Sequence, residues 1–413
     1  MNQLHVVGAG WSGLSAAVHG VLSGFSVTVH EMSRQAGGRA QSVNFQGLDL
    51  DNGQHILTGA CTETLKLMKR VGVDEQSAFL RMPMRLSTPH HTHANWLGKA
   101  HAFARLWGLL SDPQMSLRER FEWLSTLFAL KLARPIHWQR HSVSSWLDGH
   151  TGHHVRPWLE ALCVSALNID VDEANAGVFL QVMQESFKTP QASDLLLPCV
   201  GLSELLPEAA LKWLRANGAT VQMGQRVDDL SPLLQTGDVV LACSPKEAAR
   251  LSSPYAPDWS SKTQALGTTA IATVYTQWID EPPALPDPLI FLPWRAATPA
   301  QVVIDLGVLR PRVHSKGFWS WVASDVRLDR EATMARVLDQ AQEIWGRRPV
   351  IKACFLDPRA TLACKPSIER PGPRITQNLW ACGDYIESLL PSTLEGSVRS
   401  GHQVIEKILS HQH

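Results

Sequence analysis

The 413-residue chain has no net charge: 38 Lys and Arg balance 38 Asp and Glu, and charged residues are only 18% of it. No basic run exceeds a few residues, so the electrostatic footprint that nucleic-acid binding requires is missing. Cysteine is sparse and irregular. Cys61, Cys163, Cys199, Cys243, Cys354, Cys364 and Cys382 form no CxxC, which excludes a disulfide framework and a metal site and fits a reducing cytosol. No run of about 18 apolar residues occurs, so no membrane-spanning helix is expected. "LHVVGAG", residues 4–10, is already a strand entering a glycine loop and leaves no room for a signal peptide. Tyrosine is scarce, three residues against fifteen tryptophans, a skew that either packs cores or serves an apolar site.

What is present points to a globular protein of two domains. The chain exceeds the roughly 250–300 residues at which one core stops growing, and 44% of it is hydrophobic. Residues 4–7 read as a buried strand. Leu14, Ala17, Val18, Val21 and Leu22 repeat at helical spacing up to Gly24, and "FSVTVHE" (25–31) is a second strand, completing a strand–helix–strand unit. Helical periodicity is expected at 121–138, 158–187 and 329–345. A hairpin-like strand pair is expected at 218–230, a buried strand at 237–245, and Pro-rich material with strand-like runs over 254–299. Dinucleotide-type elements thus sit at both termini and near 195–250, with dissimilar material between them. One domain is therefore assembled from discontinuous pieces.

"VVGAGWSG" places Gly8, Gly10 and Gly13 in G-x-G-x-x-G, with Trp11 and Ser12 at the helix entry. The first glycine permits a tight turn, the second lets backbone approach a pyrophosphate, and the third lets helix and strand lie close. Phosphate charge then meets free N–H groups at the helix N-terminus. Glu31 closes the second strand 18 residues after Gly13, where a carboxylate can accept from ribose hydroxyls. An acid there disfavours a 2′-phosphate, leaving an NAD-like ligand or FAD. Gly37-Gly38-Arg39 follows, a glycine pair that lets backbone lie against a ligand and a guanidinium fork suited to phosphate. "GLDLDNGQHILTG" adds Asp51, Gly53, Gln54 and His55, and the C-terminal "WACGDYIESLLPSTLEGSVRSG" (380–401) has the form of half a nucleotide site without a GxGxxG.

Together the GxGxxG, Glu31, the GGR and the DxGxH segment resemble the FAD-dependent amine oxidase and carotenoid desaturase superfamily, in which "GDY…PSTLEGSVRSG" is similar to the second flavin-contacting motif. "LDLDNGQHILTGACTETLKLMKRVG", "ASDLLLP", "ATLACKP" and "PSTLEGSVRSG" further resemble the hydroxysqualene dehydroxylase group. The likeness covers most of the chain and is weakest over 255–345. It implies an α/β, two-domain flavoprotein: a discontinuous Rossmann-like FAD domain (1–85, 195–255 and 350–413) and an α+β substrate domain (86–194 and 256–349). It further implies backbone contact from Val227 to adenine, and Gly383 and Asp384 at the ribityl–pyrophosphate region. A helix start over Leu394, Glu395, Gly396 and Val398 would lie beside the flavin ring, and Gly53, Gln54 and His55 on its other side. No metal is expected.

The implied reaction is reductive removal of the hydroxyl of hydroxysqualene to give squalene for hopanoid synthesis. A hydroxyl that leaves needs a proton donor, and Glu395, His55 and Asp194 are the candidates. Glu395 has a second reading as a first-turn acid that stabilises a helix N-terminus. The intervening allylic cation needs an apolar tunnel, for which Trp and Phe are the expected lining. A C30 isoprenoid does not dissolve in cytosol, so uptake at the inner face of the membrane is expected. Residues 121–138, with Trp123, Phe128 and Trp138, are then either an interfacial segment or a helix roofing the cavity. The electron donor is either NAD(P)H or a redox protein, since no second GxGxxG appears. Alternatives are a carotenoid desaturase, an amine oxidase, for which neither an aromatic pair nor a lysine can be assigned, and a prenyl-chain carrier without FAD.

Overall fold

Residues Gln3–Val7, four of them buried, form the central strand of a five-stranded parallel sheet. The computed structural model describes residues 2–90, 92–93, 102–113, 115–292 and 299–412. In space the strands run Thr220–Met223, Ser26–Glu31, Gln3–Val7, Gly237–Leu241, Leu379–Ala381. Every neighbouring pair is parallel. Both faces of such a sheet must be covered. The helix Trp11–Leu22 buries Leu14, Ala17 and Val18 against it, and the C-terminal helix Leu394–Gln412 packs on that helix, Ser15 Oγ donating to the Val398 carbonyl at 2.8 Å. A unit drawn from three distant chain segments is therefore one layer structure.

The second sheet is antiparallel, in the order Leu289–Phe291, Val302–Asp305, Phe318–Ser324, Thr268–Gln277, Val350–Leu362. Its alternation sorts the aromatics. Trp319 and Trp321 point to one face, where they meet Trp278, Trp345 and the helix Arg330–Trp345 in a separate core. Trp319 contacts Trp278 and Trp345 edge-on, each at 5.3 Å between ring centres, a geometry that adds about 0.5–1.5 kcal/mol per pair. Phe318 points to the other face, towards a layer built from the helices Leu117–Leu132, Val143–His150, Arg156–Leu167 and Ala176–Phe187. Hydrophobic side chains between that layer and the sheet surround a cavity.

Four expectations are corrected. Residues 218–230 hold one strand, Thr220–Met223, paired in parallel with Ser26–Glu31; Gly224 then turns the chain, its N–H bonding the Ser33 carbonyl, so no return strand forms. The Pro-rich stretch after 254 contains a helix, Pro257–Gln264, which proline begins because its missing N–H is one that a helix start leaves unbonded. Residues 350–362 pair with Thr268–Gln277 and so belong to the antiparallel sheet; the chain rejoins the parallel unit after 362, not at 350. The segment 121–138 is also divided: its helix is Leu117–Leu132, and Pro135 starts a separate turn.

Candidate active site

The C-terminal ends of the parallel strands open on a cavity whose walls come from all three segments. Gly8 makes the first turn at φ +114°, and a Cβ there would meet the Ala242 carbonyl oxygen at 2.6 Å. Gly10 borders open space, with no atom within 4 Å of the place where its Cβ would be. Gly10 also stands at the N-cap of Trp11–Leu22, with no side-chain cap and no acid in the first turn. The helix N–H groups are thus left for an anionic ligand. Glu31 accepts from Ala9 N–H (2.6 Å) and Ser33 N–H (2.7 Å), fixing its carboxylate at the rim with acceptor capacity remaining.

Gly8, Gly10, Trp11, Ser12, Glu31, Gly37, Gly38, Arg39, His55, Val227, Gly383, Asp384 and Leu394 all line this cavity. Gly13 lies behind it, in the helix–strand contact, where a Cβ would come within 2.0 Å of the Gly8 oxygen. Arg39 is placed differently from a free phosphate ligand. Its Nη2 bonds both oxygens of Asp384 at 2.7 Å and its Nη1 bonds the Ala360 carbonyl at 2.8 Å. Burial alone would raise the Asp384 carboxyl, but Arg39 and the Ser392 hydroxyl hold it below the ordinary carboxylate value.

A second cavity, of about 310 Å³, lies between the helical layer and the antiparallel sheet. It shares His55, Ala360, Ser392, Thr393 and Leu394 with the first, so the two spaces meet at one wall. Most of the rest is aliphatic or thioether: Met84, Leu162, Val182, Met183, Leu195 and Ile271. Of the expected Trp and Phe lining, Phe291 alone is found among the described residues of the wall; Trp319 and Trp321 face the other side of the sheet, and Trp96 and Trp294 lie outside the described residues. Among the described residues no lysine lines it either. Gln54 reaches this cavity but donates to Tyr275 Oη (2.9 Å), which itself donates to the Asp51 carbonyl (2.7 Å).

The proton-donor candidates separate. Burial, opposed by Asp51 and helped by Arg39, pushes His55 down to about 4, so its imidazole is neutral near pH 7. Glu395 lines the second cavity with both oxygens engaged. It accepts from Glu63 N–H (3.1 Å), Thr64 N–H (2.9 Å), Thr64 Oγ1 (2.7 Å) and Arg399 Nε (2.6 Å). The helix Thr62–Arg70 has no side-chain cap of its own at Cys61, and Glu395 supplies that cap from across the fold. Asp194 is outside the cavity wall and pairs with Arg81 at 2.9 Å. Gly53, Gly396 and Val398 border neither space. Burial also raises the thiols that reach these walls, Cys61 to about 11 and Cys243 to about 12, so neither offers a thiolate.

Sequence reasoning missed the pair that fastens the two units. Arg310, after the turn Leu306–Leu309, bonds Asp51 Oδ2 at 2.7 Å with both side chains almost fully buried. Asp51 Oδ1 accepts from Ser42 Oγ and Leu202 N–H. Asp51 was visible as part of DxGxH; its partner 259 residues away carried no local signal.

The family model for flavin containing amine oxidoreductases matches residues 11–409. The chain belongs to that family. The hydroxysqualene dehydroxylases of Rhodopseudomonas palustris and Sinorhizobium fredii are each 29% identical to it, over 98% of this chain and 98% of their own. Among solved structures, an oxidoreductase from Methanosarcina mazei superposes with a TM-score of 0.75 at 16% identity, covering 98% of this chain and all of that one. The cofactor is FAD, and the chain is an FAD-dependent oxidoreductase. The uncapped helix terminus, the open face of Gly10 and the fixed Glu31 fit a dinucleotide of that kind. Among the described residues no helix is long and apolar enough to cross a membrane.

Proposed function

We propose that the protein reductively removes the hydroxyl of hydroxysqualene to give squalene, a step serving hopanoid synthesis. The observation that carries the reading is the aliphatic cavity that meets the cofactor cavity at the wall of His55, Ser392 and Leu394. The named function of its two 29%-identical relatives supports it. Overall, R–OH, a hydride and a proton become R–H and water; bound FAD in its reduced state supplies the hydride. The chain's own part is to hold the isoprenoid in a dry space and to orient it. His55, neutral near pH 7, stands in the shared wall as a hydrogen-bonding group, while Glu395 builds that wall by capping Thr62–Arg70. In this reading Gly8 and Gly10 hold pyrophosphate, Glu31 the ribose and the Val227 backbone the adenine, and Gly383 and Asp384 the ribityl chain. The start of the C-terminal helix faces the ring, its dipole favouring negative charge there.

An amine oxidase reading loses support, because the described wall offers neither an aromatic pair nor a lysine. The substrate is taken from a membrane surface. Leu117, Phe121, Phe128 and Leu132 are spaced by four, seven and four residues and are 81, 71, 65 and 62% exposed, forming one apolar stripe beside the exposed Lys131, Arg134 and Arg140. Such a stripe with basic flanks suits an anionic bilayer surface. Trp123 belongs to the opposite, buried face and packs the core instead. Incubating the FAD-loaded protein and a chemical reductant with hydroxysqualene, phytoene or an aliphatic amine, with mass-spectrometric detection, tests the reaction. Squalene from the first is expected; turnover of either other substrate alone would replace the assignment.

A further inference from the structure

A substrate in the aliphatic cavity can reach a ligand of the cofactor cavity only where the two spaces meet. The carbon that takes the hydride must come within roughly 3–3.5 Å of the atom that gives it, and the leaving oxygen is a single bond from that carbon. A side chain that holds this oxygen therefore belongs to the shared wall, not to the far end of the cavity. That wall is His55, Ala360, Ser392, Thr393 and Leu394. Ala360 and Leu394 have no polar side chain, and the Ser392 hydroxyl proton is committed to Asp384 Oδ2. His55 and Thr393 remain.

Thr393 stands immediately before the C-terminal helix Leu394–Gln412. Its carbonyl accepts from Ser397 N–H at 2.9 Å, and its Oγ1 accepts from Gly396 N–H at 3.2 Å, which caps the helix start. The cap uses the acceptor side of the hydroxyl and leaves its proton. That proton has a poor partner in the protein. The Pro391 carbonyl oxygen is 3.4 Å from Oγ1, beyond the roughly 2.5–3.0 Å of a good O–H···O bond, and it already accepts from Thr393 N–H at 2.9 Å. The hydroxyl can therefore turn its proton into the cavity without giving up the cap. Its place at the positive end of the helix also suits an oxygen that gains negative charge as its bond to carbon breaks.

We propose that Thr393 Oγ1 donates a hydrogen bond to the hydroxyl oxygen of the isoprenoid alcohol and so holds the carbon that bears it at the shared wall. The inference rests on the reaction proposed above and adds the group that places the leaving oxygen. The C–O bond breaks with its electron pair going to oxygen, the carbon takes the hydride of reduced FAD, and the oxygen leaves as water with a proton from solvent. Thr393 keeps its own proton throughout. Squalene has no oxygen to fill this position, so the substrate alcohol is held in preference to the hydrocarbon product.

The test uses the FAD-loaded full chain, with turnover of hydroxysqualene and equilibrium binding of hydroxysqualene and squalene to the oxidised protein. Thr393→Val keeps the shape of the side chain and removes the hydroxyl. Thr393→Gly removes it as well and is well tolerated at a helix start, whereas Thr393→Ser keeps it. In the valine and glycine variants hydroxysqualene is expected to bind roughly tenfold or more weakly, with squalene affinity unchanged and kcat/KM reduced at least as far; the serine variant should stay within about threefold of wild type in all three. Wild-type protein that does not turn over hydroxysqualene overturns the reaction proposed above and this inference with it. Wild-type turnover with the valine and glycine variants within about twofold of it overturns the inference alone, as does a serine variant that falls as far as valine. An equal loss of squalene affinity, or loss of bound FAD from both variants, would make Thr393 a structural residue and also overturn it.

Discussion

Glu395→Gln separates a capping role from proton donation. Glutamine keeps one acceptor oxygen and replaces the other with an NH₂ group, which confronts donors instead of accepting from them. Whichever oxygen is replaced, two of the four observed bonds lose their acceptor: Thr64 N–H and Oγ1 on one side, Glu63 N–H and Arg399 on the other. Loss of a cap costs about 1–2 kcal/mol, and loss of a charged hydrogen bond about 1.5–3 kcal/mol. The variant is therefore expected to be destabilised by about 2–4 kcal/mol, read as a lower denaturant midpoint. Hydrogen exchange should show lost protection in the first turn of Thr62–Arg70, while single-turnover rate stays within about threefold of wild type. General acid catalysis contributes about 10²–10⁴-fold. A hundredfold fall in rate with an unchanged midpoint would refute the capping assignment and restore Glu395 as the donor.

His314 is buried with neither ring nitrogen bonded, stacked on Phe318 at 4.4 Å between ring centres. Burial, and then Arg310, pushes it down from 6.5 to about 4, against the opposing pull of Asp51 and Asp49. The unfolded chain thus binds a proton between about 6.5 and 4 that the folded chain refuses, so stability is full above that window and falls as pH drops through it, by roughly 3 kcal/mol for this group. His314→Leu should flatten the pH dependence of the thermal midpoint between pH 6.5 and 4; an unchanged slope would exclude this histidine as its source. For membrane uptake, Phe121→Asp with Phe128→Asp should abolish co-sedimentation with anionic liposomes while leaving turnover of detergent-dispersed hydroxysqualene intact. Retained sedimentation would show that the stripe is not the docking face.

The cofactor half of the site was legible because its chemistry is local. Gly8, Gly10 and Glu31 stand within one strand–helix–strand unit and Gly37 and Gly38 follow it closely, and a backbone that must approach a ligand writes itself as glycine at fixed spacing. Asp384 was legible by resemblance, but its bond with Arg39 was not, since 345 residues separate them. Whether the tryptophans packed cores or lined the cavity was not legible, for a related reason. Composition records how many there are, whereas the strand alternation that turns Trp319 and Trp321 away from the cavity depends on which face of the sheet meets the helical layer. Pro257 and Gly224 illustrate the other kind of difference: proline and glycine announced a break in structure, and tertiary context decided whether a helix or an open turn followed.

The central claim, that one cavity brings an isoprenoid alcohol to the flavin, is tested most directly in a single turnover. The FAD-loaded protein is reduced anaerobically, mixed with hydroxysqualene, and followed by flavin absorbance and by mass spectrometry of the extracted lipid. The account predicts that the flavin reoxidises and that one squalene appears for each flavin oxidised. Flavin that stays reduced with hydroxysqualene, yet is reoxidised by an acceptor of polyene desaturation, would contradict it.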